Sequence, residues 1–107
     1  MENMGKAINA RFADTAKAVE KLRARGGRIV FVRFPNGGEL KALEDRLNPR
    51  SRDWERLLTG TKVPGIYFED YPELANFTCP EWSHLSAGDS VEFSKRLVPH
   101  LRAALQL

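Results

Sequence analysis

Glu81 and His84 stand three positions apart in the segment Pro80-Glu81-Trp82-Ser83-His84-Leu85-Ser86-Ala87-Gly88. An acid and a histidine held close together are what general-base chemistry needs. A carboxylate that accepts a hydrogen bond from one imidazole nitrogen fixes the tautomer, so that the other nitrogen can take a proton from a hydroxyl nucleophile. Structural roles compete for the same residues. An acid near a helix N-terminus is favourable electrostatically without any catalysis, and a loop histidine can bond backbone or help pack Trp82. The pair is common as a pattern, so its weight depends on where the fold puts it.

The other reactive side chains carry less. Cys79 lies close enough in sequence to His84 for a Cys/His pairing on paper, but nothing nearby would lower its pKa, and a buried, inert thiol is the expectation. As the one cysteine it excludes an internal disulfide, and no Cys/His cluster has zinc-ligand spacing, so neither a metal nor a cofactor is expected. Gly88-Asp89-Ser90 has the look of a nucleophile block. It falls in the first turn of a helix, however, where Asp89 has a sufficient role as a capping residue. Arg33 and Asn36 end a strand on the side where open α/β sheets bind ligands, although a solvated strand end explains both. Trp54 and Trp82 read as packing residues and His100 as a surface residue.

The elements that must position these residues follow from periodicity. Ile8, Phe12, Val19 and Leu22 share a face at helical spacing, and Gly26-Gly27 supplies a stop, which predicts an amphipathic helix over 6–25. Arg28-Ile29-Val30-Phe31-Val32-Arg33-Phe34 is a β-branched and aromatic run closed by Pro35, suited to a strand buried on both faces. After the Pro35-Asn36-Gly37-Gly38 loop, Leu40, Leu43 and Leu47 mark a short helix ended by Asn48-Pro49. Trp54, Leu57 and Leu58 mark another, with Ser51 as N-cap and Gly60 as stop. A second strand runs from about Gly65 to Phe68, weakened at its start by Pro64. Residues 69–85 read as loop. Ser86 and Asp89 resemble a capping box, and Phe93, Leu97, Leu101 and Leu105 give a closing helix bent by Pro99.

Helix, strand, helices, strand, loop, helix is the order of a parallel α/β unit. The segment around His84 then joins the last strand to the closing helix. In that setting Glu81-x-x-His84-Leu85, followed by Gly88, Phe93, Leu97, Pro99 and Leu101, resembles the last conserved block of the SGNH (GDSL-like) hydrolases, where Asp-x-x-His-Leu precedes the C-terminal helix. The likeness covers 28–106 as a run of elements but is motif-like only over 80–101. It implies that His84 is the general base of a serine hydrolase and Glu81 its orienting acid, within the C-terminal part of a flavodoxin-like sheet. Two departures stand out. The acid is Glu where the family has Asp, and no Gly-Asp-Ser block or Gly and Asn oxyanion donors precede residue 28. The resemblance therefore implies the acid/His end of an ester hydrolase or acyltransferase for O-acylated small molecules or glycans, inactive by itself.

The chain's 107 residues suffice for a single α/β domain or part of one. With 42% apolar and 29% charged residues, it is expected to fold as a soluble globule. Its net charge of +3 is mild, and the basic residues Lys17, Lys21, Arg23, Arg25 and Arg28 alternate with apolar ones as on a solvated helix face, so nucleic acid is not expected as a partner. Neither a signal-peptide stretch nor a membrane-spanning run is present. Two parallel strands make an incomplete sheet. Either the chain is the second half of a larger sheet missing its N-terminal half, or it completes the sheet by homo-oligomerisation. The alternative to the hydrolase is thus a small non-catalytic α/β module that associates with itself or with a protein partner.

Overall fold

A computed structural model describes residues 2–79 and 84–107. Its helices and strands run in the order α1 (Glu2–Ala24), β1 (Phe31–Arg33), α2 (Gly38–Leu47), α3 (Trp54–Thr61), β2 (Gly65–Tyr67), α4 (Pro72–Ala75) and α5 (Ala87–Leu105), with a 3-10 turn at Phe68–Asp70. β1 and β2 pair in parallel, with Phe31 opposite Gly65, Val32 opposite Ile66 and Arg33 opposite Tyr67. The result is a mostly helical α/β unit around a two-stranded parallel sheet.

α1 ends as the glycine pair requires. Gly26 takes a left-handed φ of 78°, and the amides of Gly26 and Gly27 return to the carbonyls of Arg23 (2.9 Å) and Leu22 (2.8 Å), a Schellman closure. α3 departs from expectation at both ends. Its N-cap position is Asp53, not Ser51, and the helix runs through Gly60 to stop at Lys62 in the left-handed conformation, φ 56°. A long-range contact accounts for the late stop. Arg23 of α1 donates to the carbonyls of Thr61 (2.7 Å) and Lys62 (2.6 Å), satisfying groups that a helix end otherwise leaves unpaired. The stretch after β2 is also more ordered than a loop, because Pro72 at the first turn of α4 supplies a preset helical φ where its missing N–H costs nothing.

The core lies where β2 and its following turns meet α5. Ile66, Tyr67, Phe68, Leu74, Phe93 and Leu97 are buried together, with Val30 and Val32 of the first strand segment packed against them. Of the closing helix's predicted stripe, Phe93 and Leu97 are buried and Leu101 half-buried. Two contacts fix the helix's direction. Arg28, just before β1, donates to the carbonyls of Leu105 (3.0 Å) and Gln106 (2.8 Å), whereas Phe34, just after β1, packs on Phe93 at 5.9 Å between ring centroids. α5 therefore runs antiparallel to β1, and its N-terminus lies at the carboxyl ends of both strands.

Candidate functional site

That N-terminus is built locally. The amide of Asp89 donates to the Ser86 hydroxyl at 3.2 Å, an N-cap that ties the first turn of α5 to the incoming chain. Leu85 packs against the core, and His84, next to it, is exposed. Leu85 as an apolar anchor and the capped helix beyond it, both following His84 in the chain, thus place His84 near the carboxyl end of the sheet. Glu81, with Trp82 and Ser83, lies outside the described residues.

The Gly88-Asp89-Ser90 triplet sits inside the helix. The Ser90 amide donates to the carbonyl of Ser86 at 2.8 Å, and its own carbonyl accepts from the Ser94 hydroxyl at 2.8 Å. Both are helix interactions, so the triplet is the first turn of α5. Cys79 is buried, and burial pushes its thiol pKa up, away from the thiolate that nucleophilic chemistry would need.

A second polar cluster occupies the opposite face of the same strand ends. Arg33 and Tyr67 stand side by side in the register and share a face. Arg33 pairs with Glu44 of α2, and Asn36 Nδ2 donates to the same carboxylate oxygen at 2.6 Å, while Asn36 Oδ1 is buried without a partner among the described residues. Beside this cluster opens a cavity of about 350 Å³, walled by Phe12, Trp54 and Tyr67 and edged by Arg33, Glu44 and Arg50. Arg50 lies 4.2 Å above the Tyr67 ring and grips Asp70 with two bonds of 2.6 Å. Those bonds to Arg50, which outweigh the cost of burial, hold the Asp70 carboxyl below its ordinary pKa. The charged groups around the cavity are thus paired with one another.

Sequence reasoning singled out Arg33 and Asn36 but missed Glu44, which joins them. The signal was present, since Glu44 falls one turn after Leu40 on the inward stripe of α2. It also placed His100 on the surface, whereas the ring is mostly covered. His100 Nε2 lies 2.7 Å from Glu73 Oε1, and its ring packs tilted against Tyr71 at 4.1 Å between centroids, which ties α5 to α4. Among the described residues no group of three His, Cys, Asp or Glu could hold a metal ion, and no helix is long and apolar enough to cross a membrane. No protein-family model, no curated protein and no solved structure matches this chain.

Proposed function

We propose that this chain carries the histidine base and carboxylate partner of an SGNH-like serine ester hydrolase or acyltransferase acting on O-acylated small molecules or glycans. The serine and the oxyanion donors come from outside residues 1–107. One observation supports the reading above others: His84 directly precedes a side-chain-capped closing helix whose N-terminus lies at the carboxyl ends of two parallel strands, the region where open α/β sheets assemble their sites. In that role His84 takes the serine proton as the oxygen attacks the ester carbonyl, then returns it to the departing alkoxide. Glu81 holds the imidazole in the competent tautomer and stabilises its protonated form.

The chain alone is then expected to lack turnover. The purified protein should hydrolyse p-nitrophenyl acetate no faster than a His84→Ala variant, the control for the activity of an imidazole by itself, and a fluorophosphonate should leave Ser83 and Ser90 unlabelled. Stoichiometric labelling of either serine contradicts the proposal. The second reading, a non-catalytic module that self-associates or binds a protein partner, is favoured by the incomplete cover of β1.

A further inference from the structure

The two strands are unequally covered. Ile66 of β2 is 3% exposed, whereas every residue of β1 is half-buried and Phe34, just beyond it, is 58% exposed. Yet the first strand's sequence is apolar on both faces, the pattern of an interior strand. The amide of Phe31 donates to Pro64 at 3.0 Å, so in the observed register residues 31 and 33 turn their backbone groups toward β2. Val30, Val32 and Phe34 therefore turn theirs toward the other edge, which carries no strand among the described residues. α5 in turn exposes Val91 (58%) and Val98 (48%), two turns apart on the flank away from the α4 contacts of Arg96 and His100.

The surface area agrees. A monomer of 12.1 kDa ordinarily exposes roughly 6,000 Å², against 7613 Å² here. The excess, about 1,600 Å², exceeds the ~800 Å² that each partner gives to a standard interface.

We propose that two copies of this chain pair through the outer edge of β1, antiparallel about a two-fold axis at Val32, to form a continuous four-stranded sheet. In this register Val32 faces its own copy and Val30 faces Phe34 of the second copy, so all three outward residues are engaged. Arg33 then meets Phe31 of the second copy rather than another arginine, as it would if the axis moved to residue 33. Charge favours the antiparallel sense. The amino end of β1 carries Arg25 and Arg28, and the helices at its carboxyl end begin with Glu39 and Asp89, so the two-fold axis brings basic ends toward acidic ones. The pairing is independent of the role of His84. A serine-bearing strand would compete for the same edge, and in the isolated chain the edge is open to a second copy.

Sedimentation across a concentration series tests it. The wild type should sediment with twice the chain mass. Val32→Pro, which removes an outward N–H and no bond to β2, should sediment as a monomer with an unchanged far-ultraviolet spectrum, and His84→Ala should remain a dimer. In a Cys79→Ser background, Val32→Cys should form an inter-chain disulfide and Phe31→Cys should not; this readout decides the matter if Val32→Pro fails to fold. A wild type that stays monomeric at the highest concentration overturns the proposal. So does a dimer cross-linked through Phe31→Cys, or one lost in His84→Ala.

Discussion

Two reactive side chains five residues apart, Cys79 and His84, differ in what their surroundings let them do. Cys79 is buried and its thiol pKa is raised by that burial, which leaves little thiolate at neutral pH and no access for an electrophile. Iodoacetamide should therefore label it slowly in the native protein and at the rate of a free thiol in denaturant. Rapid native labelling would revive a cysteine nucleophile. His84 is exposed at the start of a capped helix, where a base can meet a substrate. Both environments were partly legible in the sequence, Cys79 from the lack of a neighbour that would lower its pKa and His84 from its place before Ser86. For Glu44 only its place one turn after Leu40 was legible; its joining of Arg33 and Asn36 depends on how α2 folds back over the strand end.

Among the elements, α5 bears most directly on the site. Its Ser86 cap satisfies one of the first-turn amides, and Ser86→Ala should destabilise the protein by about 0.5–2 kcal/mol, with Ser86→Gly costing only a few tenths. Chemical denaturation of the two variants separates a capping role from a side chain that merely faces solvent, for which both changes would be neutral. This element could be read in advance because its signals are local: a cap, an apolar stripe and an ending. The same holds for the Gly26-Gly27 stop of α1. α3 was harder. Gly60 looks like a stop, but Arg23, remote in sequence, closes the helix at Lys62 instead, and no local pattern carries that information. β1 is shorter than its apolar run, since among the described residues a single three-residue partner strand defines it.

At the scale of the whole molecule, an α/β unit with one polarity brings the ends of both strands, the Arg33–Glu44 cluster on one face and the start of α5 on the other to the same end. That shared end is what the proposed hydrolase role of His84 rests on, and the edge of β1 without a strand among the described residues is what the proposed pairing rests on. The order of elements predicted this arrangement; the unequal cover of the two strands did not follow from it, because burial depends on what packs outside the sheet. If Glu81 orients His84 as a base, long-range proton–nitrogen correlation spectra of the His84 ring will show it. The ring should favour one tautomer, with the proton on Nδ1, and lose that preference in Glu81→Ala while the rest of the spectrum is unchanged. A tautomer that is the same with and without the Glu81 carboxylate would contradict it.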